Sequence, residues 1–109
     1  MPQRQHLETL TLVAVARLDG EAYGVSIHDD IERMAGGRVS MAGVYAALDR
    51  LEGRGLVRTS LSEPRAERGG RSRRHYALTA LGRQSLTRER ELASRMWDGV
   101  PLDASGKRR

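Results

Sequence analysis

The chain has 109 residues, no cysteine, 30% charged and 39% hydrophobic side chains, and a formal net charge of +5. These values describe one globular domain with a single core, and the lack of thiols excludes disulfides, thiolate metal sites and cysteine nucleophiles. The charge is uneven: residues 1–49 hold four basic and seven acidic groups, a balance of −3, and residues 50–109 hold fifteen and seven, a balance of +8. A positive field on one half implies a polyanionic partner.

The first element is a helix over about His6 to Leu18, with Leu7, Leu10, Val13, Ala14 and Leu18 along one side. Leu12, Val15 and Ala16 make much of the remainder apolar, so the helix needs cover on more than one side, and a second subunit is expected to supply some of it. The apolar run Leu10–Leu18 is too short to span a bilayer and contains Arg17. No charged-then-apolar leader is recognisable, so the expected location is cytoplasmic. Asp19-Gly20-Glu21 forms a turn. A second helix follows over about Gly24 to Ala35, with Ile27, Ile31 and Met34 inward and Gly36-Gly37 as its stop signal.

Ser40 is a good N-cap for a third helix, since its hydroxyl can accept from free N–H groups of the first turn. Val44, Ala47, Leu48 and Leu51 recur at i, i+3, i+4 and i+7 and make one buried stripe. The opposite face begins with small or hydroxyl-bearing residues and can approach a polar surface closely, and the helix N-terminus suits phosphate. Such periodicity alone fits an ordinary core helix equally well. Gly53 or Gly55 supplies the left-handed residue that ends it. Two helices joined by a glycine-containing turn, the second one groove-sized, make a helix-turn-helix.

Two short strands come next, Leu56–Ser62 and Arg74–Thr79, with Val57, Thr59 and Leu61 on one face and Tyr76 and Leu78 sharing a face. Between them lies a glycine-rich segment from Glu63, and from Arg65 to Arg74 it holds Arg65, Arg68, Arg71, Arg73 and Arg74 with a single glutamate. Arginine binds phosphate through a fixed fork of donors and is drawn to narrow minor grooves. Basic charge at a hairpin tip directly after a capped helix favours nucleic-acid contact over a merely solvated loop. The expected fold is therefore mainly α with a small β-hairpin: a winged helix-turn-helix over residues 1–79.

Thr79 caps a last helix reaching about Asp98, polar in its middle and apolar at Leu92, Ala93, Met96, Trp97 and Val100. That stripe either folds back on the first helix or packs against another protomer. The second reading is preferred, because a long terminal helix has little room on one small domain. Residues 80–100 are thus the expected dimerisation helix and residues 101–109 a disordered basic tail. Leu10, Ala14, Leu92, Met96 and Trp97 are the expected dimer interface.

Glu21-Ala-Tyr-Gly24, Gly37-Arg-Val-Ser40, Val44-Tyr-Ala-Ala-Leu-Asp-Arg-Leu-Glu52, Gly55-Leu-Val57 and Arg74-His-Tyr-Ala-Leu-Thr79, in this order and spacing, resemble the PadR-like transcriptional regulators. The resemblance runs from about Leu7 to Trp97 and is strongest to short members with one C-terminal helix. It implies a repressor that binds operator DNA as a homodimer, with the third helix in the major groove, the wing on flanking backbone or minor groove, and the last helix dimerising. Carried over by position, Ser40, Met41, Ala42, Gly43 and Tyr45 face DNA, Tyr23 reaches or packs near phosphate, and Arg71, Arg73 and Arg74 with Tyr76 form the basic wing. Base edges fall to Arg50 or to a wing arginine. Val44 replaces the family's common leucine. Some family members bind aromatic effectors near a tryptophan of the last helix. With no phenylalanine and four aromatics in this chain, Trp97 is assigned to dimer packing, and no small-molecule effector is expected.

An enzyme would need paired acid–base groups, and His28-Asp29-Asp30 with Glu32 is the only acidic cluster holding a histidine. His28 and Glu32 make half of a metal site at most, with His6 and His75 in unrelated elements. No catalytic residue, metal or cofactor is expected. The alternatives to a DNA-binding regulator are a winged helix for protein contact, which needs no arginines at its wing, and an RNA-binding one.

Overall fold

The structure is a computed structural model and describes residues 2–61 and 73–102. The wing-tip arginines Arg65, Arg68 and Arg71, and the tail beyond Leu102, lie outside the described residues. The chain forms α1 (Arg4–Leu18), α2 (Gly24–Ala35), α3 (Met41–Gly53), β1 (Val57–Leu61), β2 (Arg74–Leu78) and α4 (Ala80–Trp97). The strands pair antiparallel, Val57 opposite Leu78 and Leu61 opposite Arg74, so the hairpin encloses the arginine-rich segment. Among the described residues no helix is long and apolar enough to cross a membrane.

α3 supplies one full stripe of the core. Val44, Ala47, Leu48 and Leu51 are all buried, as their spacing requires, and they meet Ile27 and Ile31 of α2 and Val57 and Leu78 of the hairpin. Both caps form: the Ser40 hydroxyl accepts from the Gly43 N–H at 3.0 Å, and the Thr79 hydroxyl accepts from the Gly82 N–H at 3.0 Å. Gly55, at φ 76°, is the left-handed residue after α3.

α1 differs from its expected orientation. Its buried side chains are Leu7, Thr11, Leu12, Ala14 and Val15, whereas Leu10, Val13 and Leu18 are half-buried. Thr11 can enter the core because its hydroxyl donates to the Leu7 carbonyl one turn earlier, at 2.7 Å, leaving no unmet polar group. The stripe is therefore rotated towards a residue that a hydrophobic count passes over.

Two carboxylates fasten the helices together. Asp30 of α2, buried, accepts from Arg17 of α1 at 2.9 Å and from Arg33 at 3.2 Å. Glu8 of α1 accepts from Arg50 of α3 and from Arg54 beyond it, the latter at 2.8 Å. The wing is tied to the helical part by the Tyr76 N–H, which donates to the Ala22 carbonyl at 2.8 Å, and by a bridge between Tyr23 and His75.

α4 leaves this body at a fixed angle. The Thr79 hydroxyl also donates to the Gly55 carbonyl at 2.6 Å, and the Thr79 N–H donates to the Leu56 carbonyl. Gly82 lets the helix touch the backbone there: a Cβ at that position would lie 2.1 Å from the Leu56 oxygen. Beyond Leu86 every residue of α4 is exposed, so its far half does not fold back on α1.

Candidate nucleic-acid interface

The turn between α2 and α3 decides how α3 is presented, and one peptide in it is held from both sides. The Val39 N–H donates to the Glu32 carboxylate at 2.9 Å, and His28 Nε2 lies 2.7 Å from the Val39 carbonyl oxygen. A carbonyl only accepts, so Nε2 carries the proton. The hydrogen bond with Asp29 is the main cause that raises the His28 pKa; burial opposes it, and the Val39 carbonyl and Glu32 add to it. The donor atoms of His28, Asp29 and Glu32 lie close enough for a metal ion. Their bonds instead show a clamp on the turn: Nε2 and one Glu32 oxygen are both engaged by the Val39 peptide.

Past that clamp, Ser40, Ala42, Tyr45, Ala46 and Asp49 are exposed, with Met41 and Gly43 half-buried. The bonds from Gly43 N–H and Val44 N–H to Ser40 leave the Met41 and Ala42 N–H groups at the tip of α3, where an anion is favoured. Tyr45 leans over the start of α2, and Gly24 makes room for it: a Cβ there would lie 2.1 Å from the phenol oxygen. The Glu21-Ala-Tyr-Gly24 motif thus ends in glycine to seat an aromatic ring from α3.

Tyr23 sits at the wing root. The Arg73 guanidinium stacks 4.6 Å from its ring centroid, and His75 meets the ring edge-on at 5.5 Å. A hollow of about 960 Å³ opens between the start of α2, the outer side of α3 and the wing root, bordered by Tyr23, Ser26, Tyr45, Asp49, Arg73 and Arg74. Tyr76, expected at the wing base, is there but buried, and burial is the main cause that raises its phenol pKa.

Of the residues expected at DNA, the structure gathers Tyr23, Tyr45, Arg73, Arg74 and Tyr76 around this hollow, while Ser40, Met41, Ala42 and Gly43 form the N-cap and first turn of α3. Arg50 is not among them. Its guanidinium points at α1 and is committed to Glu8, a residue 42 positions earlier. Outside the expected set, Ser26, Asp29 and Asp49 also border the hollow. Arg38 is exposed in the turn just before the α3 tip, and its place between a glycine pair and an N-cap was a usable signal. At the expected dimer interface, Leu92 (47%), Met96 (59%) and Trp97 (59%) are exposed and Leu10 is half-buried. Ala14 is fully buried in its own chain's core and offers no outer surface.

The description "Transcriptional regulator PadR-like family" matches residues 12–88. A 37.1 kDa uncharacterised protein of transposon TN4556 from Streptomyces fradiae is 38% identical over 85 residues, which are 78% of this chain and 23% of that protein. The chain therefore spans only a minor part of that curated relative. Among solved structures, a PadR-like transcription factor from Bacteroides fragilis superposes with a TM-score of 0.71 at 23% identity, over 89% of this chain and 88% of that one. A PadR-like regulator from Bacillus cereus gives 0.68 at 19% identity, over 91% and 94%. These structures share the winged-helix fold, and the matched family is one of transcription regulators and not of enzymes. With the family's pattern running from α1 into α4 over this architecture, the chain belongs to the PadR-like transcriptional regulators.

Proposed function

We propose that this regulator is a repressor that binds a two-fold symmetric operator as a homodimer, by inserting α3 into the major groove and laying the wing on the flanking backbone. The observation that carries the reading is the hollow in which Tyr45 and Asp49 of α3 meet the Tyr23–Arg73–Arg74 wing root. Phosphate attraction by arginines and helix N–H groups supplies affinity that falls steeply with salt. Sequence preference comes from α3, doubled by a two-fold axis that spaces the half-sites by about one helical turn or a multiple of it.

The dimer reading rests on α4. Leu92, Met96 and Trp97 are exposed together on a helix end that the rest of the domain leaves uncovered, a costly arrangement for a monomer. A groove of about 970 Å³ runs between α1, β2 and α4, bordered by Val13, Ala16, Leu86 and Ala93, and it can take such a stripe from a second copy.

Fluorescence anisotropy with the duplex upstream of the chain's own gene and a scrambled duplex, at several salt concentrations, tests the DNA reading. Preference for the upstream duplex by about a thousandfold or more is the expected result. Replacing Arg73 and Arg74 by alanine weakens binding to both and flattens the salt slope. No binding to either duplex would overturn the reading in favour of a protein-contact module. Trp97→Asp is expected to give monomers in light scattering, and a stable dimer would place the interface elsewhere.

A further inference from the structure

The outer side of α3 presents no unpaired cation to a groove. Its one arginine, Arg50, is held by Glu8, and the arginine just past its end, Arg54, is held by the same carboxylate. What α3 does present is Ala42, Tyr45, Ala46 and Asp49, all exposed. The Tyr45 phenol is turned onto Gly24 at the head of α2. Asp49 carries only acceptors, and the major-groove edge of guanine is itself two acceptors, so Asp49 is mismatched to guanine. Two methyl groups remain.

The apolar feature that the major groove displays is the C5-methyl of thymine. We propose that α3 reads thymine, with the Ala42 and Ala46 methyl groups packed on C5-methyl groups of the operator half-site. This rests on the reading of α3 as the helix in the groove. The two alanines are four positions apart and share a face, separated by about 6 Å along the axis. For a helix lying along the groove, that spacing covers roughly two base-pair steps of about 3.4 Å each. The half-site therefore carries thymines about two steps apart. The small size of both side chains serves the same end, because it lets the helix backbone descend until methyl meets methyl. Guanine contacts fall to side chains off α3.

The test starts from duplexes selected out of a random pool by the intact chain. The affinity of a selected duplex is then compared with that of the same duplex carrying deoxyuridine for thymine, which deletes only the C5-methyl. About a fourfold loss per deleted methyl in contact is expected. In a chain carrying Ala42→Gly and Ala46→Gly the same replacement should cost nothing at those positions. Equal affinity for thymine and uracil duplexes would overturn the proposal while leaving DNA binding intact. A uracil penalty that persists undiminished in the glycine variant would overturn it too, by assigning the effect to duplex shape. If no duplex is enriched over the pool, the underlying DNA reading fails with it.

Discussion

Replacing Arg50 by alanine separates a structural arginine from a DNA-reading one. Arg50 donates to Glu8, whose side chain is only 13% exposed, while that of Arg50 is 27% exposed. A hydrogen bond between charged groups at such a site contributes about 1.5–3 kcal/mol. Arg54, at 2.8 Å, and Arg4, at 3.5 Å, remain to hold the carboxylate, so the lower end, about 1.5 kcal/mol, is expected. For a domain near this size that lowers the melting temperature by roughly 6–12 °C, measured by circular dichroism at matched protein concentration. Glu8→Gln should give a similar drop, and the double variant less than the sum. Burial pushes the Glu8 pKa up, but the hydrogen bonds and charges of Arg50 and Arg54 prevail and leave it below its ordinary 4.5. Because the folded value is the lower one, this stabilisation is present in full above 4.5 and is lost as pH falls through the folded value. Operator affinity, taken well below the melting point, should stay within about threefold of the parent, since surface changes away from an interface are nearly neutral. A variant with an unchanged melting temperature and operator affinity weakened tenfold or more would refute the assignment and return Arg50 to the groove.

Gly82→Ala forces a Cβ onto the Leu56 carbonyl and must push α4 off the hairpin, so a loss of about 1–3 kcal/mol in urea unfolding is expected. A melt unchanged by this substitution would mean that α4 does not seat where Thr79 and Gly82 put it. Gly24→Ala meets only the end of the Tyr45 side chain, which can swing away. It should cost no more than about 1 kcal/mol of stability yet weaken operator binding in anisotropy, and unaffected binding would remove Tyr45 from the interface. His28 has a folded pKa raised above 6.5, so its charge-dependent stabilisation is complete below 6.5 and is lost as pH rises through the folded value. The stability gap between the parent and His28→Gln should therefore shrink between pH 6 and pH 8, and a constant gap would show that the Val39 clamp works through its neutral hydrogen bond alone.

Local rules read the fold well, because they govern features made within a few residues. The α3 stripe and the Ser40 and Thr79 caps depend on neighbours at most a turn or two away, and each stands where periodicity and capping chemistry put it. On β1, by contrast, only Val57 of the expected Val57, Thr59 and Leu61 face is buried, because the two-stranded hairpin extends past the core and leaves Leu61 exposed. The misread residues depend on partners far along the chain. Arg50 looks like any arginine on a helix until α1 places Glu8 beside it. Thr11 is polar by composition but buried once its hydroxyl turns back on Leu7. His28 and Glu32, one turn apart, invite a metal reading until the Val39 peptide is seen between them.

The same bookkeeping of partners changes what the net charge means. Glu8 holds Arg4, Arg50 and Arg54, and Asp30 holds Arg17 and Arg33, so two carboxylates engage five arginines inside the helical body. Of the four arginines in residues 1–49, only Arg38 stands apart from these clusters, and it sits at the tip of α3. The clusters fix where these guanidinium groups point, and in particular they turn Arg50 and Arg54 towards α1. Outside the clusters, Arg38 stands before the N-terminus of α3 and Arg73 and Arg74 stand at the wing root beside Tyr45 and Asp49, and on the proposed reading these orient the domain on the backbone. On the same reading, the outward face of α3 offers the Ala42 and Ala46 methyl groups, Tyr45 and Asp49, which contribute little affinity of their own but penalise the wrong base. The salt dependence of binding should accordingly follow Arg38 and the wing arginines, and not the chain's total of +5.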